Sequence, residues 1–292
     1  MRVLLLFIDG LGLGERDPQK NPLARYASRW LQIFTDEPAT RLPGGGIVVP
    51  THVDMGIAGL PQSATGQTAL FTGRNAAAAV GHHVSGLPTP TLRRLLDEAS
   101  LFKTVAAQGR RGVFANALSH EYFERRGEHI SASTRALLAG GFPWLSQEDL
   151  CAGRAVSHDL TNQFLRELGA HVPLRTPAES ARILATLAQQ NDFTLFEFFL
   201  TDVVGHSRDF EEARRVVEHL DVLLETVLAT IDPAETIVAL TSDHGNFEDL
   251  SVKTHTLNLV PTIFWHVPPA FPLPATLRIE AIAPLLCELL AL

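Results

Sequence analysis

Cysteine is nearly absent from this chain, with two in 292 residues, Cys151 and Cys287. They stand too far apart for any zinc-ligand spacing and are expected as free thiols of a reducing compartment. A surplus of positive charge is also missing. The formal net charge is −8, which excludes a general binder of nucleic acid or of anionic membrane, since both need excess Lys and Arg. Long apolar runs are lacking too, and nothing approaches the roughly 20 apolar residues that span a bilayer. The opening MRVLLLFIDG superficially resembles a secretory signal. Its apolar run is short, however, and ends on Asp9 with no small-residue cleavage site behind it. The expectation is a cytoplasmic protein with neither nucleic-acid nor membrane partners. No internal repeat or low-complexity tail is visible, and no feature speaks to oligomeric state.

Hydrophobic residues make up 46% of the chain and charged residues 19%, the balance of an ordinary globular enzyme. The length allows one large domain with a small insert. Apolar runs at 2–8, 193–200, 236–240 and 260–265 read as buried strands, with a shorter one at 112–115. Residues 91–108 and 209–229 carry leucines and valines at helical spacing, and 278–291 reads as a C-terminal helix. Pro43, the glycines 44–46 and Pro50 read as loop. Strands alternating with helices predict an α/β fold: a three-layer αβα sandwich around a mainly parallel sheet, with the site along one edge. The stretch 117–190 lacks strong strand signals. It is expected as a small inserted cap, leaving 1–116 and 191–292 as the core.

Four clusters follow strands or open helices. They are Asp9; Ser63 in QSATGQT; Asp202 and His206 in TDVVGHS; and Asp243-His244 in TSDHGN, joined by His255 in KTHT. Three carboxylates, three imidazoles and a hydroxyl form the ligand stock for two divalent cations such as zinc or manganese, with magnesium as a further option. Asp202 and His206 are four apart, so a helical turn after the strand would aim both at one ion. Asp243 and His244 are adjacent, so at a strand end they are expected to point in different directions. Gly66 and Gly205 would let backbone approach a metal or phosphate. Each piece has a bland reading: Ser63 as a helix N-cap, Asp9 as a solvated strand end, the DHG tripeptide as a turn. Their coincidence at strand carboxyl ends favours an active site.

SATGQTALFTGR resembles the nucleophile segment of alkaline phosphatases and cofactor-independent phosphoglycerate mutases. TDVVGH, TSDHGN and KTHTLNLVPT resemble the mutases' second half, and the motifs occur in that family's order across about 1–75 and 194–266. The resemblance implies an alkaline phosphatase-like fold with Ser63 as nucleophile. It further implies Asp9, Ser63, Asp243 and His244 around one metal, with Asp202, His206 and His255 around the other. The chain departs from the family in three ways. The stretch between nucleophile helix and later ligands is far shorter than the mutases' substrate-binding domain. Gln67 replaces a His, and Glu197 stands where alkaline phosphatases bind a third ion, though a strand residue in a salt bridge is the plainer reading.

These readings imply a metal-dependent phosphomonoesterase acting through phosphoserine on a small phosphorylated metabolite. The alternatives are a phosphomutase, and a non-catalytic metal- or phospholigand-binding protein on the same fold. The short insert favours hydrolysis, since a mutase must hold its alcohol away from water while it reorients. The absence of Pro and Arg after Ser63 disfavours a sulfatase. His82 and His83, His158-Asp159 and Arg125-Arg126 are secondary candidates for lining the pocket.

Overall fold

Val3 to Ile8 are buried on both faces, so the first strand can occupy only the middle of a covered sheet. In this computed structural model, which describes residues 1–36 and 41–291, eight strands form one sheet. They are β1 (Arg2–Ile8), β2 (Arg41–Leu42), β3 (Gly46–His52), β4 (Gly112–Phe114), β5 (Phe193–Phe198), β6 (Thr236–Thr241), β7 (Val260–Trp265) and β8 (Leu277–Arg278). The order is β2-β3-β7-β6-β1-β5-β4, with β8 beside β3. β4, β5, β1 and β6 run parallel. β7 runs antiparallel to both β6 and β3.

Alternate residues of β1 feed two separate cores, as a period of two requires. Leu4, Leu6 and Ile8 pack with the helices Pro177–Gln190 and Phe210–Thr230. Val3, Leu5 and Phe7 pack with the helices Ser63–Thr72, Pro90–Ala99, Ala132–Ala139 and Ile282–Ala291. The result is the expected three-layer αβα sandwich. Within 117–190, the helices Ala132–Ala139 and Pro177–Gln190 thus bury residues in the two main cores, and only Leu150, Ala155 and Val172 form a small cluster of their own. Among the described residues no helix is long and apolar enough to cross a membrane, and Cys151 and Cys287 are free thiols.

Three local expectations are corrected. Residues 46–52 are strand, not loop. Pro50 faces Pro261 across the β3–β7 ladder, so the two missing N–H groups fall on one rung. The helix expected over 91–108 breaks at Ser100, whose extended backbone caps a second helix, Leu101–Ala107, and whose hydroxyl donates to the Ala136 carbonyl. The strand expected to run to 200 ends at Phe198, and Asp202 lies in the first turn of the helix Leu200–Ser207.

Candidate metal and phosphoryl-transfer site

The carboxyl ends of the central strands β5, β1 and β6 lie side by side, and each delivers a site residue. Asp9 follows β1, where its N–H donates to the Phe198 carbonyl at 3.0 Å. Asp243 and His244 follow β6, and both are fully buried. Asp202 and His206 lie on one face of Leu200–Ser207, with His206 Nε2 3.5 Å from Asp202 Oδ2. His255 comes from the loop before β7.

These groups converge on two neighbouring points. His244 Nε2 is 3.3 Å from Asp9 Oδ1 and 3.5 Å from Asp243 Oδ2. His255 Nε2 is 3.2 Å from His206 Nε2 and 3.5 Å from Asp202 Oδ1. The rings of His244 and His255 stack with centroids 3.7 Å apart, which joins the two points. Asp243 and His244 therefore converge instead of diverging. β6 has ended at Thr241, and the chain bends at once, so the pleat no longer alternates their directions.

Ser63 is the first residue of its helix and not its N-cap. Gln62 holds the cap position without a side-chain bond. The Ser63 hydroxyl lies 3.0 Å from His244 Nε2. The Thr65 N–H goes to the Val84 carbonyl and the Gly66 N–H to the Gln62 carbonyl. The N–H groups of Ser63 and Ala64 remain without a partner among the described residues, as the first groups of a helix do. Gly66 serves a purpose other than admitting ligand: a Cβ there would sit 2.8 Å from the Asp243 carbonyl oxygen. Gly205 likewise makes room for Asn246, whose amide donates to Asp202 Oδ1 at 2.7 Å.

The electrostatics suit cations. Asp9 Oδ1, Asp243 Oδ2 and His244 Nδ1 are buried without hydrogen-bond partners, a costly state for the bare groups. Burial, followed by the charges of Asp243, Asp202 and Glu197, holds the Asp9 carboxyl well above the usual range. Burial holds His244 below its ordinary value, so its ring is neutral and able to ligate. At Asp202 burial pulls upward, but the bond with His255, the charge of His244 and the Asn246 amide bring the carboxyl down to about 2. At His255 burial is outweighed by the bond to Asp202 and by the Pro61 carbonyl, 2.8 Å from Nδ1, and the net shift is upward. That carbonyl and the Lys253 carbonyl, 2.8 Å from His206 Nδ1, fix both rings with Nε2 facing the cluster. Two groupings have metal-ligand proximity, Asp9-Asp243-His244 and Asp202-His244-His255, and His244 belongs to both. The donor chemistry and the orphaned oxygens fit divalent metal.

Several contributors went unread in the sequence. Glu248 is buried and accepts from Gly12 N at 2.9 Å, Asn246 N at 2.8 Å, Asn258 Nδ2 at 3.0 Å and the Thr256 hydroxyl. It thereby ties together the loops that carry Asp9, Asp243-His244 and His255. Gln67, the departure from the mutase pattern, donates to Asp9 Oδ2 at 3.3 Å. Glu197 makes no salt bridge among the described residues. It accepts from the Ser133 hydroxyl at 2.5 Å, and desolvation, with Asp243 adding to it against that bond, pushes its carboxyl up to about 7. The salt bridge expected as its plainer role is therefore replaced by the Ser133 hydroxyl. His82 and His83 bond loop carbonyls, and Asp159 caps the turn to Phe164. His158, Arg125, Arg126 and Glu197 line a cavity of about 550 Å³ beside the site.

Residues 175–292 match the Metalloenzyme superfamily, and the stretch includes every ligand after Ser63. That match covers less than half of the chain. A 2,3-bisphosphoglycerate-independent phosphoglycerate mutase of Thermoplasma volcanium is 38% identical over 78 residues, covering 27% of this chain. The matched stretch spans only 18% of that mutase. Among solved structures, alkaline phosphatase from the Antarctic bacterium TAB5 superposes with a TM-score of 0.55 at 13% identity, covering 99% of this chain and 97% of that one. Leishmania mexicana phosphoglycerate mutase gives 0.53 at 13% identity, covering 99% and 95%. The core thus shares its mixed sheet and its layers with both phosphatases and mutases.

Proposed function

We propose that this protein is a metal-dependent phosphoryl-transfer enzyme that hydrolyses a phosphomonoester through a phosphoserine at Ser63. One observation carries the reading. The Ser63 hydroxyl sits 3.0 Å from His244 Nε2, at the point where the partnerless carboxylate oxygens of Asp9 and Asp243 converge. Asp9, Asp243, His244 and Ser63 would hold one divalent cation, and Asp202, His206 and His255 the other. Bound there, the metals lower the pKa of a ligated hydroxyl and neutralise the phosphoryl oxygens. The free N–H groups of Ser63 and Ala64 point positive partial charge at the same phosphoryl group. Ser63 Oγ gives up its proton to solvent and attacks phosphorus as the bond to the leaving alcohol breaks, with that oxygen taking a proton from solvent. Water then cleaves the serine phosphate, which restores Ser63 and releases inorganic phosphate.

The mutase resemblance of the ligand segments favours a second reading, in which the released alcohol turns and regains the phosphoryl group from Ser63. The test uses protein stripped of metal and reloaded with Mn²⁺, Zn²⁺ or Mg²⁺. Turnover of p-nitrophenyl phosphate should return with metal and vanish in Ser63→Ala, which should stay folded. Full activity in Ser63→Ala refutes the phosphoserine route. Phosphorus NMR on a panel of phosphometabolites separates the two readings: inorganic phosphate marks hydrolysis, and an isomeric ester marks transfer.

A further inference from the structure

Glu197 and Phe199 bracket the end of β5 and also line the cavity of about 550 Å³. The cavity therefore lies at the carboxyl end of β5, where the chain turns into the helix that carries Asp202 and His206, and its size suits a ring-bearing small molecule. Its walls are mainly apolar and aromatic, including Leu87, Phe114, Leu118, Phe164 and Phe199. Three rings form a wall. His158 stacks on Phe199 with centroids 4.0 Å apart and planes at 18°, and Phe164 meets His158 edge-on at 4.9 Å. Within that wall His158 Nε2 is enclosed and has no hydrogen-bond partner. Desolvation lowers His158 to about 4, so the ring is neutral at pH 7 and adds an uncharged face to the wall. The cavity holds few cations for an acidic alcohol. Arg125 pairs with Glu121, and Arg126 is exposed. A small polyhydroxy acid would leave the aromatic wall wet.

We infer that this cavity receives the leaving group of the substrate, and that the leaving group is a flat ring, aromatic or heteroaromatic, packed against the Phe164–His158–Phe199 wall. The inference rests on the phosphomonoesterase reading for its kinetics but not for binding. A ring placed there buries apolar area that a phenyl-sized group covers only in part, and each 1.4 kcal/mol so gained is about tenfold in kcat/KM.

The experiment compares 2-naphthyl phosphate with phenyl phosphate, whose leaving groups are closely matched in acidity. In the metal-loaded enzyme kcat/KM should favour the naphthyl ester by about tenfold or more. That ratio should fall towards one in Phe164→Ala, whose side chain lies at the surface end of the wall, and in His158→Ala. A ratio near one in the wild-type protein overturns the inference, as does a ratio that both variants leave intact. If no ester is turned over, the hydrolase reading fails separately, and naphthyl fluorescence then decides on binding alone. Tighter binding of 2-naphthyl than of phenyl phosphate, weakened by Phe164→Ala, supports the cavity assignment. Equal or absent binding refutes it.

Discussion

Replacing Gly66 with alanine isolates the contact between the nucleophile helix and the metal-ligand loop. By helix propensity alone the change should stabilise by about 1 kcal/mol, since Gly66 lies in the first turns of a ten-residue helix. The added Cβ, however, would lie 2.8 Å from the Asp243 carbonyl oxygen and 3.0 Å from its Cβ. Backbone cannot swing aside as a long side chain can, and overpacking of this kind costs about 1–3 kcal/mol. The net expectation is a loss of about 0–2 kcal/mol, a fall of up to several degrees in Tm. The functional loss should be larger. Asp243 and Ser63 would be pushed apart by a few tenths of an ångström, and displaced ligand geometry costs roughly 10–100-fold in metal affinity or activity. Thermal unfolding of the metal-free variant, with metal titration followed by calorimetry, reads both effects. A Gly66→Ala protein as stable as wild type, with unchanged metal affinity, would refute the claim that this contact is rigid and sets the site.

Glu248→Ala should remove an acceptor from four donors in two loops. At about 1–3 kcal/mol for each unmet buried group, softened by entering water, urea unfolding should show a loss of at least about 3 kcal/mol. Glu248→Gln should lose less. Glu197 supplies a pH test. Its folded pKa of about 7 lies above its ordinary 4.5, so the folded state binds the proton more tightly. Its contribution is fully present below about pH 4.5 and is lost as pH rises through 7, by at most about 3 kcal/mol. In metal-free protein, Glu197→Gln should therefore gain stability over wild type between about pH 5 and pH 8, and an unchanged difference would show that desolvation at this carboxyl is small. Finally, Asp9→Asn and Asp202→Asn should each weaken one of two metal equivalents in calorimetry. His244→Ala should weaken both, because its ring lies in both groupings and stacks on His255.

The gathering of the candidate ligands could be read in advance because they sit at ends of strands that announce themselves. β1, β5 and β6 are apolar almost without interruption, since each is covered on both faces. The four-residue step from Asp202 to His206 encodes a helical face, and the helix is there. What stayed illegible depends on partners distant in sequence. β3 reads as loop because Gly46 and Pro50 are weighed singly, whereas Pro50 is tolerable only because Pro261 stands opposite. Ser133 and Asn116 give no local sign that they will meet Glu197, which receives a hydroxyl from one and exchanges backbone bonds with the other. Glu248 resembles any acid in a polar loop until that loop folds back on itself and meets Gly12.

The reversed direction of β7 was open to inference. Between Thr241 and Val260 no apolar helical period occurs, and a parallel return needs a crossover helix of about a dozen residues. Without one, the chain must come back beside β6 in the opposite sense, as it does. The reversal has a chemical consequence. A crossover helix would carry the chain away over one face of the sheet. The direct return instead keeps 242–259 at the carboxyl edge, where Asp243, His244, Glu248 and His255 all fall within one loop. That loop can bring His255 onto the His244 ring and Thr256 onto Glu248 without leaving the site. The antiparallel strand is thus what allows a single segment to serve both metal groupings, with Asp9 and Asp202 supplied by the parallel strands beside it.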